Sequence, residues 1–122
     1  MFYDIETIQI WLDEIAESLP EEIFKDLNGG VLLLTQYKIS PHAKADDLFI
    51  MGEYRIDRFL GRMVYIYYGS IIHLYGNAPE HIIKHELRRV LCHELTHHLE
   101  SLAGERGLEI IDAERLHRYL NQ

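Results

Sequence analysis

Two histidines four residues apart, inside a long helical pattern, constrain this chain more than any other feature. From about Pro79 to Ala103 the apolar residues recur at helical spacing, and Gly104 follows as a predicted stop. This stretch contains the run His93-Glu94-Leu95-Thr96-His97. Positions i and i+4 of a helix lie on one face, about one turn apart. The pattern therefore predicts a long helix with both imidazoles at one edge of its apolar face.

Imidazoles at this spacing can bind one metal ion, and a glutamate directly after the first can act on a water molecule at that ion. Zinc in a hydrolase takes three protein ligands, leaves one position for water, and lowers the pKa of that water towards neutrality. Glu94 stands where the general base belongs, to take a proton and pass it to a leaving amine. We therefore expect His93 and His97 to bind Zn²⁺, which such His-rich open sites favour.

The third ligand is less constrained by the residues. Glu100 shares the helix face of His93 and His97, but it is about 10 Å along the axis from His93. A turn at Gly104 and Gly107 would let the chain double back and bring an acid of the last helix to the metal. The candidate acids are Glu100, Glu109, Asp112 and Glu114.

The other histidines of this helix are expected to have structural or solvated roles. His98 points about 100° away from the side of the helix that carries the ligands, so it should pack or donate a hydrogen bond. His81 and His85 repeat the i, i+4 spacing without an acid in the required place, and we expect them at the surface.

The composition of the chain limits the classes of protein to which it can belong. With 122 residues and 48% hydrophobic residues, the chain matches one globular domain, which we expect to span 1–122. The net charge of −8 argues against general nucleic-acid binding. Arg55, Arg58 and Arg62 form a short basic cluster, expected to be a solvated loop.

The sequence also bears on location. No run approaches the ~20 apolar residues of a membrane span, and the start of the chain lacks the pattern of a signal peptide. The single cysteine, Cys92, excludes an intrachain disulfide and should be a small packed side chain. We therefore expect a cytoplasmic protein with no membrane partner, whose oligomeric state the sequence leaves open.

The apolar patterns predict an α+β fold. Helices are expected at 5–18, 21–26, 79–103 and 108–120. Strands are expected at 31–37, 48–54, 62–68 and 71–75, with a loop at 38–47. The last two strands should form a hairpin through Gly69 and Ser70. A small twisted sheet with this hairpin would then pack against the long helix, with further helices at both termini.

The stretch from Val90 to Leu116, VLCHELTHHLESLAGERGLEIIDAERL, resembles the small bacterial zincin-like metallopeptidases, the minimal zincins. Members combine HExxHH with a nearby acid, and the order of upstream elements is similar. The resemblance implies a zincin-like fold, His93 and His97 as zinc ligands, and Glu94 as general base. It implies Asp112 as third ligand through the segment I-D-A-E-R-L, although a longer segment precedes Asp112 than in shorter members. Larger zincins with a glutamate ligand match Glu114 by spacing.

Two hypotheses of function follow. The first is a zinc peptidase that binds a peptide or protein substrate as an added strand along a sheet edge, which we expect within the 62–75 hairpin. The oxyanion donor could be Tyr67, Tyr68 or a residue of the turn from Gly104 to Gly107, and the sequence does not choose between them. The alternative is a metal-stabilised binding or regulatory module with little or no peptidase activity. The small size of the chain favours the alternative, because few residues remain to build specificity pockets.

Overall fold

A helix of 27 residues, α3 (Glu80–Arg106), is the longest element of the fold. The computed structural model describes residues 3–42, 48–106 and 110–121, apart from the side chains of residues 105–106 and 110–114. The helices are α1 (Ile5–Ser18), α2 (Tyr68–Tyr75), α3 (Glu80–Arg106) and α4 (Ile110–Leu120), and a short 3₁₀-helix spans Glu21–Phe24. The strands are β1 (Gly30–Leu34), β2 (Lys38–Ile39), β3 (Phe49–Ile50), β4 (Gly52–Asp57) and β5 (Gly61–Tyr67).

The main sheet has three strands in the order β1-β5-β4. The middle strand, β5, is parallel to β1 and antiparallel to β4. Its apolar run suits this central place, because Met63, Val64 and Ile66 are almost fully buried. The β2 and β3 strands form a separate antiparallel pair. Among the described residues, β4 is therefore an edge strand of the main sheet, with β5 as its neighbour on one side.

The core lies where α3 packs against α1 and the sheet. In α1, Asp4 caps the first turn by accepting a hydrogen bond from the Thr7 N–H, and Ile8 and Leu12 face inwards. The apolar stripe of α3 includes the fully buried residues Leu87, Leu91 and Leu95. Burial of this stripe fixes the rotation of α3, so the opposite edge of the helix is presented outwards.

The α+β class and the positions of the first and third helices are confirmed. The α3 helix does not end at Gly104 but continues to Arg106, since one glycine costs a helix interior only about 1 kcal/mol. The last helix begins at Ile110, and residues 107–109 of the predicted turn lie outside the described residues. No helix within the described ranges is both long and apolar enough to span a bilayer.

The upstream strands differ in their bounds from the prediction. The first ends at Leu34 and not at residue 37, and the 48–54 strand is interrupted at Met51. The predicted loop at 38–47 contains the short strand β2, and its residues 43–47 lie outside the described residues.

The predicted hairpin at 62–75 is wrong. Residues 68–75 form α2, with Ser70 and Ile71 fully buried. Gly69 does not make a turn but allows a close contact: a Cβ there would lie 2.5 Å from the Tyr37 backbone nitrogen. Its own N–H donates to the Gln36 carbonyl. A glycine needed for packing between distant segments was therefore mistaken for a turn glycine.

The hairpin of this sheet joins β4 and β5 instead. One carboxylate oxygen of Asp57 accepts hydrogen bonds from the N–H groups of Phe59 and Leu60, and Gly61 adopts a positive φ of 86°. Arg62, which follows, is only 7% exposed, so the prediction of a solvated loop is wrong for this residue. Because β5 is central, the edge strand beside the motif helix is β4.

Candidate metal centre

The two motif histidines converge on one point outside α3. Both are exposed, and their Nε2 atoms are 3.2 Å apart with the rings at 85°. Two nitrogens that each lie about 2.0–2.1 Å from a tetrahedral zinc ion are separated by about 3.3 Å. The spacing of His93 and His97 therefore fits a shared zinc ion, and it also suits a hydrogen bond between the two rings.

Glu94 lies beside this pair, on the inner side of the helix. It is 7% exposed, and the backbone N–H of Tyr54 acts on its carboxylate. Burial raises the pKa of this carboxyl above its ordinary value, and the charge of Glu53 adds to the effect. Positive charge on His93 and His97 and the hydrogen bond from Tyr54 act in the opposite direction. A carboxylate with a raised pKa suits general-base chemistry near neutral pH.

A glycine lets β4 come close to the motif. A Cβ at Gly52 would lie 2.6 Å from Val90 Cγ1 and 3.3 Å from Glu94 Cγ, both on α3. The absence of a side chain at this position therefore allows the edge strand to lie directly against the helix at the level of Glu94.

An open cleft is lined by residues of β3 and β4 on one side and by residues of α3 on the other. Its volume is about 750 Å³, which falls in the range of ligand-binding clefts. The strand wall and the helix wall contribute four residues each: Ile50, Gly52, Glu53 and Tyr54 on one side, and Glu94, His97, Glu100 and Ser101 on the other. The cleft can thus hold a segment of substrate next to a histidine and a buried carboxylate.

A second carboxylate in the cleft, that of Glu53, is held by donors. Tyr67 donates a hydrogen bond to it at 2.7 Å, and Lys38 forms an ion pair with it. Burial raises the pKa of Glu53, but these two hydrogen bonds, with the charges of Lys38 and Arg55, outweigh it and bring the pKa below its ordinary value. The pKa of Tyr67 is raised to about 12, by burial first and then by Glu53. Sequence reasoning missed Glu53, because its partners come from separate strands.

A chain of hydrogen bonds ties the strand wall to α3 through His98. The His98 side chain is fully buried, and its Nε2 is 2.7 Å from the Lys25 carbonyl oxygen. Since a carbonyl can only accept, Nε2 carries the proton, and Nδ1 accepts from the Tyr54 hydroxyl at 2.8 Å. The same hydroxyl accepts from Arg62 Nη1 at 2.9 Å. The prediction that His98 packs or donates a hydrogen bond is confirmed.

The remaining side chains considered in the sequence fall outside the cleft. His81 and His85 are exposed, as predicted. Cys92 is buried, and burial raises the pKa of its thiol, in agreement with a packed side chain. Tyr68 donates its hydroxyl to the Tyr3 carbonyl, so it is engaged by the start of the chain.

The third metal ligand stays a prediction. Glu100 lines the cleft, and one of its oxygens is 3.7 Å from His117 Nε2, which shows that α4 returns along α3 as expected. Glu109 and the side chains of Asp112 and Glu114 lie outside the described residues. Among the side chains that the structure does describe, no three histidine, cysteine, aspartate or glutamate residues group into a metal site.

The fold is similar to that of a protein of known structure. No family model and no curated protein matches the chain. Among solved structures, the fold is similar to that of a conserved hypothetical protein from Thermo thermophilus, with a TM-score of 0.71 and 30% sequence identity. The similarity covers 83% of this chain and 98% of that one.

Proposed function

This chain belongs to the same family as the conserved hypothetical protein from Thermo thermophilus, and we propose that it is a zinc-dependent peptidase with a zincin-like site. One observation carries the proposal: two exposed imidazoles with Nε2 atoms 3.2 Å apart flank a buried carboxylate at the side of an open cleft. Each part has a role in hydrolysis, and all three come from one helical turn.

In this proposal His93 and His97 hold Zn²⁺ through Nε2, with Asp112 as the proposed third ligand. When bound, zinc supplies a water molecule acidic enough to lose a proton near neutral pH. The carboxylate of Glu94 would accept a proton from the attacking water and pass it to the nitrogen of the leaving amine. Its raised pKa favours the protonated state that the second transfer requires.

The proposed substrate is a peptide or an exposed protein segment in the cytoplasm. An extended segment would lie in the cleft beside β4, the edge strand that faces α3, in place of the edge predicted from the sequence.

Metal content measured by mass spectrometry tests the proposal directly. The protein, purified without a metal-chelating resin, should carry close to one zinc ion per chain. His97→Ala should lose it, because one remaining imidazole and one acid hold zinc poorly. The matched control is His81→Ala, which removes an exposed histidine from the same helix and should leave the zinc content unchanged.

The zinc-loaded protein is then assayed for cleavage of a mixed peptide library. Cleavage that disappears in His97→Ala and persists in His81→Ala supports the peptidase. A chain that takes up no zinc even when zinc is added in excess would contradict the proposal. Zinc binding with no cleavage would favour the alternative, a metal-stabilised binding or regulatory module.

A further inference from the structure

We infer that Tyr54 and His98 are positioning residues, which hold the Glu94 carboxylate in place beside the two motif histidines. The inference rests on the proposed function and adds a part of the site to it. It starts from two approaches of Tyr54, in β4, to α3: its hydroxyl oxygen is 2.8 Å from His98 Nδ1, and its backbone N–H acts on the Glu94 carboxylate to lower its pKa. Glu94 and His98 are four residues apart, so these contacts lie on successive turns of one helix face.

The sheet register explains why the Tyr54 N–H is available. The Tyr67 N–H donates to the Met51 carbonyl, so residues 51 and 67 form a hydrogen-bonded pair of the antiparallel ladder. Such pairs alternate along the strands, which makes Tyr54 and Val64 a non-hydrogen-bonded pair. The N–H of Tyr54 therefore points away from β5, towards the open edge, where we assign the Glu94 carboxylate, whose pKa it lowers, as its acceptor.

The hydroxyl contact fixes the direction of this strand. Arg62 donates to the Tyr54 oxygen, Tyr54 donates to His98, and His98 donates to the Lys25 carbonyl. The donor and the acceptor of each of these three bonds are therefore assigned. Consecutive donations of this kind strengthen one another in a buried setting. The chain of bonds anchors Tyr54 to backbone outside the sheet, and Gly52, two residues earlier, brings the strand into contact with α3.

A base must stay within hydrogen-bond reach of the proton it takes, so the placement of Glu94 affects turnover more than binding. Loss of the Tyr54 hydroxyl keeps the peptide N–H of this residue. It removes the hydrogen bond to His98 that anchors this part of β4 to α3. We expect Tyr54→Phe to retain zinc and the KM of the zinc-loaded enzyme, and to lower kcat roughly 10- to 100-fold. The matched control is Tyr3→Phe, which removes a hydroxyl hydrogen bond to the Ala78 carbonyl, away from the cleft. Its kcat should not change.

A double-mutant cycle separates positioning from general stability. His98→Met should lower kcat by a similar factor, and the double variant with Tyr54→Phe should be no slower than either single variant, because both interrupt one hydrogen-bond chain. A Tyr54→Phe enzyme as fast as Tyr3→Phe, or independent effects that multiply in the double variant, would overturn the inference.

Amide hydrogen exchange tests the same point without any activity. In Tyr54→Phe the amide at position 54 should exchange faster than in the wild type, while the amide of Arg55, in a hydrogen-bonded pair with Met63, serves as internal control. Unchanged exchange at position 54 would refute the positioning role. If the wild-type chain cleaves no peptide, the proposed function fails, and the exchange experiment still decides the role of Tyr54.

Discussion

Each of the two walls of the cleft carries a glutamate, and the pKa values of the two carboxyl groups are shifted in opposite directions. On the α3 wall, Glu94 is buried next to imidazoles and its pKa is raised. On the β4 wall, the pKa of Glu53 is lowered, because donors and nearby positive charge outweigh the effect of its burial. Two carboxylates in one cleft with pKa values moved apart suggest different roles. Glu94 has the higher proton affinity that a base needs, whereas Glu53 stays ionised.

The two walls also differ in how far apart in the sequence their side chains lie. The α3 wall takes all its functional side chains from one helix, where spacing in sequence fixes spacing in space. The β4 wall depends on residues from several strands, since Glu53 meets Lys38 of β2 and Tyr67 of β5. The comparison predicts that matched substitutions on the two walls will have unequal effects.

The largest difference is expected in catalysis. Glu94→Gln should lower kcat of the zinc-loaded enzyme by about 10²–10⁴, since an amide cannot accept the proton, while zinc content is retained. Glu53→Gln is the same change on the other wall and should cost less than about tenfold, within the range of an indirect effect. Steady-state kinetics on both variants check this. A larger loss in Glu53→Gln would reverse the assignment of the base.

The same contrast explains what the sequence could predict. Helical spacing located α3, both imidazoles, the adjacent acid and the structural role of His98, because these are properties of one continuous element. The pattern of apolar residues also predicted the α+β class. These predictions needed no knowledge of which strands pair.

What the sequence could not predict depends on distant contacts. Gly69 resembles a turn glycine, and only its contact with the Tyr37 backbone shows otherwise. Arg62 carries a charge and is nevertheless buried, where it donates to Tyr54. The chain has eight tyrosines, and no local signal distinguishes Tyr54 from the others. Each of these residues is defined by a partner that lies far away in the chain.

The next largest effect is expected from a substitution that disturbs the contact between the two walls, and it concerns the stability of the protein. Gly52→Ala places a methyl group within 2.6 Å of Val90, so the strand or the helix must shift. We expect a loss of about 1–3 kcal/mol in the free energy of unfolding, as for other overpacked sites, together with reduced activity as β4 moves from Glu94. Gly104→Ala is the control: no atom lies within 4 Å of the added group, and the position is helical.

The control variant, Gly104→Ala, should instead stabilise the protein by about 0.5–1 kcal/mol, because alanine is a better helix former than glycine. Urea unfolding of both variants measures the two values. If Gly52→Ala is as stable as the wild type and equally active, close packing of the walls is not required for the site.

The smallest expected effect is a difference in pH dependence between the walls. In the metal-free protein, the folded-state pKa of Glu94 lies above its ordinary value of 4.5, so the folded state binds more protons than the unfolded state as pH rises from 4.5. Stability is lost across this window until pH passes the raised pKa. Relative to the wild type, Glu94→Gln should therefore become more stable with rising pH, since the amide does not ionise.

Glu53 should show the opposite sign. Its folded-state pKa is below 4.5, so its contribution to stability is fully present above 4.5 and is lost as pH falls through the lowered value. Glu53→Gln should thus lose stability relative to the wild type as pH rises towards 4.5, and Lys38→Met, which removes one donor, should make this dependence weaker. Urea unfolding of the metal-free variants between about pH 3 and pH 8 gives both slopes. If the stability difference from the wild type changes with pH in the same direction for both variants, the pKa values of Glu94 and Glu53 are not shifted in opposite directions.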